Sequence, residues 1–462
     1  MSTLAALARA EAYTAGHAVP LTTVRHLHVH DRPLVLIPLA MAGEANAPLA
    51  AMAGTAPGDA RLLVLAQPRN RDERFTFAAE LGAIVAAYVE SFTGVAEPVT
   101  GDRGRFRFVD APQIWVPNAG GIDFLRLFGR STRFRTVDGD HPVHPSVPLL
   151  GRWLTFFANA AEVPGSCLLL DAVRALSQHW ATGQSAAQDA RLASLLAWIV
   201  SGADAARAAE DGPPAGPATD PRFDNAVLAP LIEDGAVAEL TTALREVLAP
   251  TWEQMWRAIE LLRALPPGAR VGGRWDADRD AYSGFVQHLA DGGPPQPRRD
   301  SAVAAAARLQ RLEAAATRYA VQRAFDDPLV MAEYRLAGVA FGGTVTLADA
   351  DRIEDSGRRP VLRPRIMVRT TEPVRVGPGA VLTSPTRPGQ KATVIAVGGA
   401  TDVLLELSGG MGRRLVAEPG SVPSVGERLV LTTLSEMYRP GAAFPDPADT
   451  PWTHGGPPAP PP

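Results

Sequence analysis

The longest regular pattern in the sequence is a helical repeat within residues 294–328, between a proline-rich segment and an Asp-Pro pair. Apolar residues recur there at alternating steps of three and four, which places them on one face of an α-helix. They are Ala302, Ala305, Leu309, Leu312, Ala316 and Tyr319. Ser301 or Asp300 can cap the start of this helix. Helical patterns dominate before this segment and two-residue alternation dominates after it, so we expect a long helix that joins two unlike parts.

The fold class that follows is a multidomain α+β protein. Residues 22–40 and 61–66 resemble strands, and residues 75–92 have helical spacing, so residues 1–145 are predicted to form a small α/β domain. In residues 22–30 the alternation predicts a strand that leads into the apolar run. Residues 146–328 show helical stripes on both sides of a turn-rich segment at residues 212–225, and they are predicted to form an all-α domain that ends in the long connecting helix.

Beyond residue 328 the apolar period changes to two, and glycine-rich turns separate short segments. This pattern predicts an antiparallel β-barrel-like domain over residues 329–438. Residues 439–462 are rich in proline and glycine, and we expect a disordered tail there.

Composition limits the compartment and the class of protein. The chain has 462 residues and a formal net charge of -4, so nothing global drives it toward nucleic acid or an acidic membrane. Cys167 is the only cysteine, which excludes a disulfide within the chain. The sequence also lacks a clear signal peptide and a long apolar segment. We therefore expect a soluble, cytoplasmic protein that does not enter a membrane.

Signatures of catalysis are weak. Lys391 is the only lysine, so any mechanism that needs a lysine amine must use that residue. The sequence has no phosphate-binding loop of the P-loop type and no nucleophile elbow. Cys167 opens a predicted helix without a nearby base, which favours a buried structural cysteine over a nucleophile. An enzyme is therefore less expected than a binding protein.

Histidines provide the alternative, a metal-dependent hydrolase. Imidazole is a common ligand of metals such as zinc, and alternate residues of a strand share one face. The candidate ligands are His26, His28, His30, His141 and His144. No carboxylate or cysteine completes a known metal-binding signature with them, so histidines on a half-exposed strand face are the other interpretation.

Arginines in two regions favour contact with nucleic acid, because guanidinium groups bind phosphates and aromatic rings stack on bases. In the first region arginines alternate with phenylalanines, and in the second they face few carboxylates along the sequence. The candidate residues are Arg103, Arg105, Arg107, Arg130, Arg133, Arg135, Arg363, Arg365, Arg369 and Lys391. A solvated charged surface is the alternative interpretation of both regions.

Trp452 lies in the tail between proline and glycine residues, where it could anchor a partner protein or fold back on its own domain. Taken together, the patterns favour a non-catalytic adaptor or binding subunit of a larger complex. We expect it to contact nucleic acid through its arginines, beside a separate ATPase. The alternative remains the hydrolase with one divalent metal such as zinc.

Overall fold

The computed structural model describes residues 2–44, 47–99, 104–212, 215–355, 357, 359–372, 374–399, 401–412 and 414–436. These residues form two compact units. The amino-terminal unit lies within Ala5–Ala316, and the carboxyl-terminal unit contains Ser2–Leu4 and the described residues from Thr317 onward.

A five-stranded mixed sheet organises the amino-terminal unit. Its strands are β2 (Leu34–Ala40), β3 (Pro48–Gly54), β4 (Arg61–Val64), β7 (Ile114–Val116) and β8 (Leu169–Asp171), in the spatial order β4-β3-β2-β7-β8. β2 pairs with β3 in antiparallel fashion and with β7 in parallel fashion, and β7 and β8 are also parallel. Every residue of β2 and β3 is buried, as expected for central strands covered on both faces.

Short strand pairs lie outside this sheet. They are β1 (Val19–Pro20) with β9 (Trp180–Ala181), and β5 (Ala96–Pro98) with β6 (Phe106–Phe108). β6 contacts the helix α12 (Val271–Ala290).

Helices make up most of the rest of the amino-terminal unit. They are α1 (Thr3–Ala15), α2 (Arg71–Glu90), α3 (Ala119–Thr132), α4 (Ser146–Ala160), α5 (Ala172–Ser177), α6 (Ala186–Asp189), α7 (Leu192–Ser201), α8 (Ala203–Ala209), α9 (Pro221–Phe223), α10 (Ala229–Glu233), α11 (Val237–Ala264) and α12 (Val271–Ala290), with a π-helical turn at Asp224–Leu228. α2 confirms the predicted helix, and its buried side chains Phe77, Leu81, Val85 and Tyr88 have the predicted spacing.

Two strands of the sheet differ from the sequence-based expectation. β8 comes from the region in which only helices were predicted, and the chain turns into α5 directly after it. β3 has the sequence PLAAMAG, whose alanines give little strand signal, so it was not predicted. Both strands are recognisable only through their pairing with β7 and β2.

The carboxyl-terminal unit contains a six-stranded antiparallel sheet. Its strands are β10 (Ala340–Asp349), β13 (Arg365–Thr370), β14 (Val381–Leu382), β15 (Lys391–Gly398), β16 (Asp402–Ser408) and β17 (Arg428–Thr432), in the order β14-β15-β16-β13-β10-β17; β11 (Ile353–Glu354) and β12 (Val361–Leu362) form a separate pair. The sheet curls so that Thr383, next to β14, exchanges two backbone hydrogen bonds with Thr432 of β17. This half-barrel confirms the barrel-like character predicted for the region.

The predicted long helix is present as α13 (Ala302–Asp326), which α14 (Pro328–Leu336) follows after Asp327 caps its start. The predicted apolar face is not a buried face, however. Leu309 is 57% exposed, and the buried residues of α13 are Val321 and Ala324 near its end. Most side chains of the first five turns are alanine or arginine, and these tolerate exposure.

No helix in the described part of the chain is long and apolar enough to span a membrane.

Candidate nucleic-acid interface

The three clustered histidines belong to the folded interior rather than to a strand face. Residues 22–33 form no regular strand, so the predicted alternation is wrong there. The backbone N–H groups of these residues instead donate to side chains: His26 to His179 Nε2 at 3.2 Å, His28 to Cys167 Sγ at 3.2 Å and His30 to Gln113 Oε1 at 3.0 Å. The segment is therefore held by long-range side-chain acceptors that local sequence cannot reveal.

Two of these imidazoles have evident structural roles. The Nε2 of His30 lies 2.8 Å from Asp110 Oδ2, and its Nδ1 accepts a hydrogen bond from the backbone of Arg32. The ring of His28 stacks on Trp275 with 4.1 Å between ring centroids. Burial, together with the neighbouring His30, lowers the pKa of His28 to about 4, so His28 is neutral at physiological pH.

The described residues do not bring the candidate histidines together as ligands of one metal ion. Within the described residues, no group of three or more His, Cys, Asp or Glu side chains is arranged to hold a metal ion. His141 and His144 lie in an exposed loop, where His144 Nδ1 is 2.8 Å from the hydroxyl of Ser146. Because the five candidate ligands include buried structural residues and exposed loop residues, the hydrolase alternative has no support beyond the sequence.

Cys167 and Asp278 form a buried polar contact beneath the histidine segment. The carboxylate of Asp278 accepts hydrogen bonds from the backbone of Cys167 at 2.6 Å and from the hydroxyl of Ser166 at 2.7 Å. Burial raises the pKa of Asp278 to about 7 and the pKa of the Cys167 thiol to about 12. A thiol with so high a pKa is a poor nucleophile, which agrees with a structural role for Cys167.

The first predicted arginine group is largely neutralised. Arg107 is mostly buried and forms ion pairs with Glu97, Asp276 and Asp280, while Arg105 lies 3.6 Å from Asp280. Arg279 of α12 also binds Glu97. These contacts attach the β5–β6 hairpin to α12. Arg103 lies outside the described residues.

Most of the predicted arginines in the carboxyl-terminal unit also have carboxylate partners. Arg365 pairs with Glu406 at 3.1 Å, Arg369 with Asp402 at 2.8 Å and Arg363 with Glu354 at 3.9 Å. Glu406 and Asp402 lie on β16, which neighbours β13 in the sheet but is distant in sequence. Lys391 is exposed at the start of β15.

The third group, Arg130, Arg133 and Arg135, lies at the end of α3 and differs from the others. Together with residues from two other segments it forms a surface that we call the Arg–Phe patch. Its members are Arg71, Phe75, Arg130, Arg133, Phe134, Arg135 and Arg298. Among the described residues, no carboxylate forms an ion pair with any of these five arginines.

Aromatic rings position four of the guanidinium groups. The Cζ atoms of Arg71 and Arg135 lie 5.2 and 5.1 Å from the ring centre of Phe75. Those of Arg133 and Arg298 each lie 4.8 Å from the ring centre of Phe134. Both rings are half-buried, and Arg71, Arg135 and Arg298 are exposed. The cation–π contacts thus order charged groups that face solvent.

Arg133 is the buried support of the patch. Its guanidinium donates to the backbone oxygens of Gln296 at 2.9 Å and Pro297 at 3.0 Å, which fixes the segment that carries Arg298. Burial lowers the pKa of Arg133, and the charges of Arg130 and Arg298 lower it further. This repulsion reflects the positive charges that lie close to Arg133.

Two carboxylates of this region, Asp300 and Glu162, are bound to other arginines. Asp300 contacts Arg308 at 3.4 Å, and Glu162 contacts both Arg126 and Arg308. They are therefore not arranged to neutralise the patch.

Arg71, Phe75 and Arg298 were not recognised from the sequence. Arg71 is the first residue of α2, where a positive charge is unfavourable because the amino-terminal end of the helix dipole is also positive. A cation at such a position could have suggested that Arg71 has a function other than stabilising the helix. Arg298 follows a proline-rich segment that has no periodicity. Trp452, the predicted partner anchor, lies outside the described residues.

Comparison with known proteins gives no further information on the class of protein. No protein-family description matches the chain, and neither does any curated protein or solved structure with which it was compared.

Proposed function

We propose that this chain is a binding subunit that contacts the phosphates of a single-stranded nucleic acid through the Arg–Phe patch. The observation that carries the proposal is the cluster of arginines around Phe75 and Phe134, to which no carboxylate of the described residues is ion-paired. Guanidinium groups bind phosphate with two parallel hydrogen bonds, and a nucleic-acid backbone offers a series of phosphates.

The ordering of the arginines favours such binding. A free arginine side chain loses considerable rotamer entropy when it binds an anion, and contact with a ring reduces that loss because the side chain is already restricted. The repulsion between Arg130, Arg133 and Arg298 also decreases when a phosphate binds among them.

A single strand suits the patch better than a duplex. Bases of a single strand can stack on the outer faces of guanidinium planes, whereas bases within a duplex are already stacked on one another. Arg71, Arg135 and Arg298 offer such planes because each lies against a ring on one side and is exposed.

The larger complex and the separate ATPase stay predictions from the sequence. With such a partner, the proposed role of this chain is that of an adaptor that brings nucleic acid to the partner. Nucleic-acid binding at the patch can be tested without that partner.

The test is fluorescence anisotropy with a labelled single-stranded oligonucleotide and the duplex of the same sequence. We expect the single strand to bind more tightly. The triple variant R71Q/R130Q/R135Q should weaken its binding by about 10-fold or more at low salt.

The control is R369Q, which removes an exposed arginine that is already paired with Asp402. It should bind as the unchanged protein does. Equal losses in the control and in the triple variant, or no binding by the unchanged protein, would rule out the patch as the interface.

A further inference from the structure

A second surface feature of the amino-terminal unit lies apart from the Arg–Phe patch. A cavity of about 350 Å³ opens between α2 and the sheet, beside the first residue of β2, the last residues of β3 and the first residue of β4. This volume is at the lower end of the range for small-molecule sites. Arg32 and Arg61 both line the cavity, and we call it the Arg32–Arg61 pocket.

The wall of the pocket is mainly apolar. Ala53 of β3 and Ile84 and Ala87 of α2 line it, together with the ring of Tyr88. The hydroxyl of Tyr88 is already engaged, because it donates to the backbone and accepts a bond from the backbone of Gln113. The wall therefore offers contact area to an apolar body and few hydrogen bonds.

The charged groups of the pocket are two arginines and one aspartate. Arg32 is oriented by a 3.1 Å hydrogen bond to Ser91 and by the ring of Phe92, 5.4 Å from its Cζ. The exposed side chain of Arg61 has no hydrogen bond or ion pair with any residue in the described part of the chain. Its guanidinium is thus available to an incoming anion.

Asp59 does not compete strongly for these arginines. Its carboxylate accepts three hydrogen bonds from its own loop, from the backbone and the hydroxyl of Thr55 and from the backbone of Ala56, at 2.7 to 3.0 Å. Two guanidinium cations and one carboxylate leave a single positive charge around the pocket. This charge suits a monoanion better than a dianion, because the second charge of a dianion would remain without a partner.

We propose that the Arg32–Arg61 pocket binds a small organic carboxylate with an apolar body. The carboxylate lies between Arg32 and Arg61, and the apolar body lies against Ala53, Ile84 and Ala87. This site does not depend on the proposed nucleic-acid contact, because it uses different arginines.

The test is isothermal titration of the full-length protein with three probes of the same aromatic body: 1-naphthoate, the neutral 1-naphthalenemethanol and 1-naphthyl phosphate. We expect 1-naphthoate to bind about 10-fold or more tightly than the neutral alcohol, as charge-assisted hydrogen bonds predict. It should also bind more tightly than the aryl phosphate. Equal binding of acid and alcohol would overturn the role of the arginines, and tighter binding of the phosphate would overturn the choice of a monoanion.

Substitutions locate the site. Arg61→Gln should weaken 1-naphthoate binding by about 10-fold or more, whereas Arg69→Gln, which removes an exposed arginine beside Glu44, should not change it. Ala87→Phe fills the pocket without changing a charge and should abolish binding while the thermal unfolding temperature stays the same. Binding that survives Ala87→Phe, or equal effects of the two arginine substitutions, would contradict the proposal.

The R71Q/R130Q/R135Q variant separates this proposal from the nucleic-acid contact. It should retain 1-naphthoate binding, and a loss of binding there would place the carboxylate in the Arg–Phe patch instead.

Discussion

At the scale of single residues, burial has converted candidate catalytic groups into structural ones. The backbone of His28 donates to Cys167, the backbone of Cys167 donates to Asp278, and all three side chains are held in the interior or at its edge. Their pKa values move in the directions that burial dictates, up for the acid and the thiol and down for the imidazole. Burial thereby favours the neutral form of each group, and for Cys167 the neutral thiol is the unreactive form.

Asp278 gives a prediction for the pH dependence of stability. Its pKa is about 7 in the folded protein against an ordinary value of 3.8, so the folded state binds the proton more tightly. The carboxyl therefore contributes stability below pH 3.8 that is lost as the pH rises to about 7. Asp278→Asn should remove this decrease, which is on the order of a few kcal/mol. Urea unfolding at pH 4.5 and pH 7.5 measures the difference in the free energy of unfolding between the two pH values.

Asp291→Asn is the matched control for that experiment, because Asp291 is exposed at the end of the same helix. It should keep the pH dependence of the unchanged protein. The assignment fails if Asp278→Asn shows the same difference in unfolding free energy between the two pH values as the unchanged protein does.

Cys167 gives a second prediction at this scale. Because burial raises the pKa of its thiol to about 12, little thiolate is present at pH 8. Labelling with an aromatic disulfide reagent should be slower in the folded protein than in urea by about 100-fold or more. Rapid labelling of the folded protein would show that the thiol is accessible and active.

At the scale of elements, the Arg–Phe patch depends on the close crossing of α3 and α4. Gly151 of α4 lies against the end of α3, where a Cβ atom would overlap the backbone of Arg133. Gly129 of α3 is similarly close to Thr155 and Gly151 of α4. The two glycines allow the helices to approach, and this approach places Arg133 beneath Phe134.

Gly151→Ala should therefore reduce both stability and nucleic-acid binding. Overpacking at this contact should destabilise the protein by about 1–3 kcal/mol and displace Arg133. The control is Gly284→Ala in α12, where no atom lies within 4 Å of the added Cβ. It should be neutral or stabilising by up to about 1 kcal/mol through helix propensity. Urea unfolding and oligonucleotide binding of both variants check the prediction; a neutral Gly151→Ala contradicts it.

The sequence correctly predicted the elements in which the order of apolar residues alone indicates which side chains are buried. The continuous apolar run of β2 and the spacing of α2 appear where the sequence placed them. The two-residue alternation predicted beyond residue 328 is present in β13, β15 and β16. β3 and β8 could not be predicted in this way, because alanine-rich or very short segments become strands only when neighbours pair with them. The irregular histidine segment was also missed, since its hydrogen bonds go to residues distant in sequence.

The candidate interface was predictable only in part, for a related reason. The sequence identified Arg130, Arg133 and Arg135 but could not separate them from Arg363, Arg365 and Arg369, because it does not show which carboxylates lie nearby. Pairing of β13 with β16 neutralises Arg365 and Arg369, whereas no strand among the described residues brings a carboxylate into an ion pair with Arg130, Arg133 or Arg135.

At the scale of the whole molecule, the two units differ in how the arginines that attract attention in the sequence are paired. In the amino-terminal unit, arginines gather around two phenyl rings and form no ion pair with a carboxylate in the part of the chain that the structure describes. In the carboxyl-terminal unit, Arg352, Arg365, Arg369 and Arg387 all have carboxylate partners across the curled sheet. The net charge of -4 conceals this difference. The proposed nucleic-acid contact therefore lies on the amino-terminal unit.

The salt dependence of oligonucleotide binding tests this assignment most directly. Each phosphate neutralised on a single strand contributes about -0.7 to the slope of log K against log salt, so contacts from Arg71, Arg130, Arg135 and Arg298 predict a slope of about -3. The R71Q/R130Q/R135Q variant should reduce the slope to about -1, and R369Q should leave it at about -3. An unchanged slope in the triple variant, or binding that does not respond to salt, would contradict a phosphate contact at the Arg–Phe patch.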